Sequence, residues 1–383
     1  MDSEKLFSTI DSLEKEYCKF TEDICNIESP TDYKKGVDEV GEYIIKKAEE
    51  KGWNVEVLEQ PVAGNVVCIT MNPESDKKPI AISGHMDTVH PLGFFPTPAV
   101  RVDEEKIYGP GTLDCKGGIA AGFMAMDALQ RCGFTSRPIQ LLLQSDEETS
   151  SKTSGKATIN YICEKAKDSI AFLNMEGRGE KNIGTLVRKG ILRYNFNVHG
   201  KAAHSAWCVD GANAVTEAAH KIIELEKMKD GEGLTCNCGV ISGGTKANSV
   251  ADFCTFTADI RFSTAEEMEK AIKICEKVAK TVYVPGCSCE LEEVSTRPAM
   301  ELCEKNVELL ETMNKIYERV GLPPLVMNKA AGGSDAAYTT AYGIPSIDSI
   351  AVSGGGGHSI NEYITIKSLS EAAKRVAAVI CYI

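Results

Sequence analysis

The sequence predicts an α/β protein: a larger domain with a central mixed sheet flanked by helices, interrupted by a smaller inserted domain of ferredoxin-like βαββαβ form. Three observations carry this. Apolar strand-like runs alternate with amphipathic helical runs through residues 1–189. From about Gly190 to Pro298 the order changes to β-α-β-β-α-β, and beyond it the first pattern resumes. Residues 1–189 and 299–383 thus read as one discontinuous domain, with 190–298 inserted. At 383 residues the chain is long for one domain and ample for two.

Leu6 to Cys25 and Val37 to Glu50 read as helices; in the second, Val37, Val40, Ile44 and Ala48 share a face. Gly52 ends it. Strands are expected at Trp53 to Leu58, Val66 to Met71 and Pro79 to Ser83, with Gly84 letting the backbone turn. Ala99 to Tyr108 reads as a short hairpin, and Gly117 to Arg131 as a helix of small residues and methionine suited to burial. Ile139 to Leu143 lacks polar alternation, as a strand covered on both faces does. Ser154 to Lys167 reads as helix and Ile170 to Leu173 as strand. In the insertion, strands are expected at Ile191 to Val198, Thr235 to Ile241, Val250 to Phe262 and Ser288 to Val294. Its helices are Ala212 to Met228 and Ala265 to Val282; Asn306 to Val320 and Ser368 to Tyr382 complete the larger domain.

The composition is that of an ordinary soluble protein, 43% hydrophobic and 25% charged. Its net charge of −13 argues against nucleic acid or an anionic membrane as a partner. No basic-then-apolar leader opens the chain, and no apolar run approaches the roughly 20 residues of a bilayer span. The 15 cysteines follow no repeated spacing and include no Cys-x-x-Cys, which suits reduced thiols in the cytoplasm and disfavours a redox or iron–sulfur protein.

His85 and Asp87 close the strand at Pro79 to Ser83, two residues apart and so on one side of an extended segment. In that arrangement the carboxylate can orient the imidazole, as around metal-bound histidines. Asp114 lies in the glycine-rich stretch Tyr108-Gly-Pro-Gly-Thr-Leu-Asp114-Cys-Lys-Gly-Gly118. Without Gly-Lys-Ser/Thr this is no phosphate loop, and an acidic residue there would repel phosphate. Glu147 and Glu148 follow a strand; adjacent buried glutamates are costly unless a cation neutralises them. Glu176 also follows a strand, and His358 ends the run Gly354 to Gly357. His85, Asp114, Glu148, Glu176 and His358 are therefore candidate metal ligands at strand ends and loops. Each motif alone also fits a solvated loop or an exposed acidic turn. His90, His199 and His220 read as structural.

Six motifs taken together resemble the M20 family of co-catalytic zinc peptidases, in its glutamate carboxypeptidase and aminoacylase branch. They are Gly84-His-Met-Asp-Thr-Val89, Gly109-Pro-Gly-Thr-Leu-Asp-Cys-Lys-Gly-Gly118, Asp146-Glu-Glu148, Gly200-Lys-Ala-Ala-His204, Gly332-Gly-Ser-Asp-Ala-Ala-Tyr338 and Gly357-His-Ser359. Cys115 departs from the Asp or Met common at its position. The resemblance implies two divalent metals, Zn²⁺ with Co²⁺ or Mn²⁺ as substitutes, about 3.5–4 Å apart. Asp114 would bridge them, one also taking His85 and Glu176 and the other Glu148 and His358. Glu147 would be the general base on the bridging water, and Asp87 would orient His85. His204 would stabilise the oxyanion, a contribution of about 2.7–4 kcal/mol for such donors. Asn248, Arg261 and the backbone at Gly332, Gly333 and Ser334 would bind substrate, Arg261 as a fork on its carboxylate. Within the family, glutamate at the position of Glu176 accompanies carboxypeptidases and deacylases. A peptide or N-acyl amino acid with a free carboxylate is then the expected substrate, and a homodimer through the inserted lid the expected assembly. The alternatives are an aminopeptidase or dipeptidase needing a free α-amine, and a non-catalytic metal-binding homologue.

Overall fold

The computed structural model describes residues 1–179, 181–229 and 233–383. The chain forms two compact units: Met1–Val187 with Leu302–Lys329 and Ser334–Ile383, and Arg188–Glu301 with Ala330–Gly333.

The larger unit is built on a six-stranded sheet in the order Asn54–Leu58, Val66–Met71, Ile139–Gln144, Ile80–His85, Phe172–Asn174, Ser346–Ile347. Val66–Met71 runs antiparallel to both of its neighbours, and the last four strands run parallel. The period of two along a strand explains why these runs are apolar at every position. Val67, Ile69, Ile82, Leu141, Leu143 and Leu173 join one core with the helices Ser3–Cys25, Lys34–Glu50, Gly117–Arg131 and Ile366–Tyr382. The intervening Val66, Cys68, Ala81, Leu142 and Phe172 pack on Ile159, Ile162 and Cys163 of helix Ala157–Ala166.

Parallel strands deliver their C-terminal ends to one side of the sheet, where His85, the turn Glu147–Thr149 and Glu176 follow three neighbours. Gly84 does not turn the chain. The strand runs on through His85, and a Cβ at Gly84 would lie 2.9 Å from Ile119 Cγ1 and 3.2 Å from Cys115 Sγ, so glycine here permits close packing. Gly118 acts similarly: its missing Cβ would fall 1.9 Å from the carbonyl oxygen of Met175, which lets the helix start sit against the backbone beside Glu176. A second small sheet was not legible beforehand. Tyr363–Thr365 pairs with Lys106–Tyr108 on one edge and Gly354–Gly355 on the other, tying the segment before Asp114 to the segment carrying His358.

The smaller unit has a fully antiparallel sheet in the order Thr235–Gly243, Phe253–Phe262, Gly190–His199, Ser288–Arg297. Helices Ala214–Glu226 and Ala265–Lys280 pack Ala218, Leu225, Ala271 and Cys275 against Phe196, Phe256 and Ile260 of the sheet. A buried ion pair locks the two helices: Glu217 and Lys221 are each 1% exposed and 2.9 Å apart. Lys221 also donates to the carbonyls of Val278 and Ala279, while Glu217 accepts the N–H groups of Tyr283 and Val284. No described helix is long and apolar enough to cross a membrane.

Candidate metal centre

The strand end at His85 sets the first donor. His85 Nδ1 lies 3.0 Å from the carbonyl oxygen of Asp87 and 3.3 Å from its Oδ1. That fixes the proton on Nδ1 and turns the Nε2 lone pair outward. Nε2 lies 2.9 Å from Asp114 Oδ1 and 3.6 Å from Glu176 Oε1. The other oxygen of Asp114 is 2.9 Å from His358 Nε2, which in turn is 3.8 Å from Glu148 Oε2. One carboxylate thus faces two imidazoles, each with its own glutamate. His358 adopts φ 62°, a left-handed conformation costing a non-glycine residue about 1–3 kcal/mol.

Asp87 has a second task. Its Oδ1 accepts the N–H of Glu147 and its Oδ2 the N–H of Glu148 and the hydroxyl of Thr31. The carboxylate therefore fixes both the histidine and the paired-glutamate turn. Glu147 is 6% exposed, and its charge acts on Glu148, Glu176 and His358.

The donor set fits divalent cations. Burial, and next the charge of Asp114, push Glu148 and Glu176 well above the usual carboxylate range. Lys116, two residues from Asp114, turns its Nζ away to the carbonyls of Ile24 and Ile27, so it does not relieve this repulsion. Burial opposes charge on His85, but its contacts with Cys115, Asp114 and Asp87 prevail and raise it well above the ordinary imidazole value. His358 is raised by its hydrogen bond to Asp114. Crowded glutamates and imidazoles all shifted toward their protonated forms mark a cluster of negative charge that a cation would relieve. The thiol of Cys115 also lies within 4.8 Å of donor atoms of His85 and Glu176. We do not count it as a ligand: burial drives its pKa far up, and Sγ accepts the N–H of His85 at 3.0 Å.

A pH dependence follows. All four raised groups must lose their protons to bind a metal, so binding should release protons, and affinity should fall as pH drops through and below the histidine range. Calorimetric titration of Zn²⁺ in buffers of differing ionisation enthalpy measures this; binding without proton release would contradict it.

In the smaller unit, His204 pairs by a β-bridge with Ser249, and Ser205 donates its N–H to the carbonyl of Asn248, which brings His204 and Asn248 together. His204 Nδ1 accepts the N–H of Ala206 at 3.2 Å, leaving the proton of the neutral ring on Nε2 as a donor. Arg261 is already engaged: its Nε and Nη2 donate to Asp259 at 2.7 and 3.2 Å, and Arg193 shares that carboxylate. Gly332 accepts from Arg188 through its carbonyl. Ser334, in the larger unit, is buried: its hydroxyl donates to Asp348 at 2.6 Å and its carbonyl accepts the N–H of Ala337.

Sequence reasoning missed Glu362. It is 1% exposed and accepts the N–H groups of Gly111, Leu113 and Asp114, about 250 residues away in the chain. Its only sequence signal is a position four residues after His358.

Comparison with known proteins matches residues 81–382 to the model of peptidase family M20/M25/M40. Carboxypeptidase G2 of Pseudomonas sp. (strain RS-16) is 29% identical over 92% of this chain and 85% of its own. A succinyl-diaminopimelate desuccinylase of Rickettsia felis is 24% identical over 93% of this chain and 96% of its own. Among solved structures, an M20 metallo-carboxypeptidase of Sulfolobus solfataricus superposes with a TM-score of 0.77 at 18% identity, covering 96% of this chain and 99% of that one. Aminopeptidase PepT of Bacillus cereus gives 0.77 at 22% identity, covering 96% and 98%. These two structures speak for the fold alone.

Proposed function

The chain belongs to peptidase family M20/M25/M40, and from that premise we propose that it hydrolyses the amide bond of a peptide or N-acyl amino acid whose leaving amine carries a free α-carboxylate. The observation that carries this reading is Asp114 facing His85 through one oxygen and His358 through the other, with Glu148 and Glu176 beside them and Glu147 adjoining. The kinship with carboxypeptidase G2 and with a desuccinylase supports the free-carboxylate preference.

His85, Asp114, Glu148, Glu176 and His358 would hold two divalent ions, Zn²⁺ by donor type, which supply a Lewis acid for the scissile carbonyl and acidify water. Glu147 removes the proton from the attacking water and returns it to the leaving nitrogen. Asp87 keeps His85 in its tautomer and Glu147 in its turn. His204 donates from Nε2 to the developing oxyanion. Arg261 presents its guanidinium to the leaving carboxylate, with Asp259 holding it oriented. Asn248 and the backbone of Gly332, Gly333 and Ser334 complete the substrate contacts.

The active form in this reading is a homodimer through the smaller unit, in the cytoplasm. The edge strand Thr235–Gly243, with Val240 and Ile241 more than half exposed, supports the first. The fifteen free cysteines support the second. Sedimentation of a fully active monomer would overturn the dimer.

Turnover on a matched pair tests the specificity: an N-acylated dipeptide with a free C-terminus, and its C-terminal amide. We expect cleavage of the free acid only. Cleavage confined to an unblocked dipeptide would instead make the enzyme an amine-recognising peptidase.

A further inference from the structure

We propose that Glu362, backed by His90, is the positioning residue that presents Asp114 and His358 to the metals. The inference rests on the reading of Asp114 as the shared ligand.

Glu362 Oε1 accepts the N–H of Leu113 at 2.8 Å and of Asp114 itself at 3.0 Å. Oε2 accepts the N–H of Gly111 at 3.2 Å and lies 3.4 Å from His90 Nε2. The carbonyl of Glu362 takes the N–H of Gly109 as well. The backbone from Gly109 to Asp114 thus curls around this one residue, and Gly111 at φ 72° supplies the turn that aims its N–H inward. Just before the strand Tyr363–Thr365, Glu362 donates its N–H to the carbonyl of Ser359, which closes the turn that follows His358. One residue therefore connects the backbone of Asp114, through its carboxylate, to the turn next to His358, through its N–H, and the side chains of Asp114 and His358 meet at 2.9 Å. Ring stacking on Phe94 at 5.2 Å and an edge contact with Phe95 at 5.0 Å hold His90 against the carboxylate.

Three N–H groups and an imidazole demand a group that only accepts. An amide in place of the carboxylate would set its own N–H₂ against a backbone donor and loosen the loop. Ligand geometry is sensitive to displacements of about 0.5 Å, so a loosened loop weakens the site without dismantling the fold.

The test is titration of metal-free protein with Co²⁺, followed by calorimetry and by the visible absorbance of the bound ion. The proteins are wild type, Glu362→Gln and His90→Phe. We expect Glu362→Gln to bind Co²⁺ about 10–100-fold more weakly, with an altered spectrum at saturation and an unchanged far-ultraviolet circular dichroism spectrum. His90→Phe keeps the ring stack and the N–H clamp, and should show a smaller loss in the same direction. It decides the matter if Glu362→Gln does not fold. Wild type failing to bind about two equivalents would overturn the metal reading itself. Two equivalents in wild type, with affinity and spectrum unchanged in the folded variants, would overturn the positioning role alone.

Discussion

Replacing Glu147 with alanine is expected to lower kcat by about 10²–10⁴-fold while the enzyme keeps its metals, the range general acid–base catalysis supplies. That corresponds to about 2.7–5.5 kcal/mol of transition-state stabilisation. The geometry separates the two effects. The turn at Glu147–Thr149 is held through its backbone, with the N–H groups of Glu147 and Glu148 both on the Asp87 carboxylate, and truncating the Glu147 side chain leaves those two bonds in place. Glu148, not Glu147, lies against His358, at 3.8 Å. Steady-state kcat on an N-acyl amino acid, with metal content by atomic emission, measures both. A kcat close to wild type would remove Glu147 from the proton-transfer role, and loss of metal would make it a ligand instead.

The same residues show what a sequence discloses. Strands and helices of the larger unit were legible because their apolar periods are local, and the strand ends then placed His85, Glu148 and Glu176 near one another without further information. Short pairings were not legible. Ser346–Ile347 joins the central sheet through two residues, and Tyr363–Thr365 through three joins the small one; neither is long enough to display a period. Gly84 was read for its backbone freedom, yet what matters there is the side chains of Ile119 and Cys115, which come from another element.

At the site, chemistry-bearing side chains stand out in the sequence but their supports do not. Asp87 was legible as a partner of His85, two residues away. Its grip on the Glu147–Thr149 turn, some 60 residues on, was not. Glu362 and His90 act across 272 residues, and nothing in their local spacing announces it. Arg261 was expected to fork a substrate carboxylate; the carboxylate its guanidinium meets in the structure is that of Asp259, a pairing that follows from residues two apart on one strand sharing a face.

Asp114→Asn should be the most damaging single change, and it should differ in kind from the loss of Glu147. Asn offers one acceptor oxygen where Asp114 offers two, so only one of His85 and His358 can keep its partner, and an N–H₂ group confronts the other. A shared ligand lost on one side leaves at most one complete donor set. We expect metal stoichiometry to fall from about two equivalents to one or fewer, with kcat at background, because the Lewis acid and the acidified water are supplied together. The surrounding loop should survive, since its anchor is the backbone N–H of residue 114 on Glu362 and not the Asp114 side chain. Losing the charge of Asp114 also removes one of the causes that raise Glu148 and Glu176, which favours a folded metal-free variant. Elemental analysis after dialysis, paired with thermal unfolding of the metal-free protein, reads the outcome. Two tightly held equivalents in Asp114→Asn would show that the two oxygens of Asp114 do not each serve a metal, and the shared-ligand reading would fall with them.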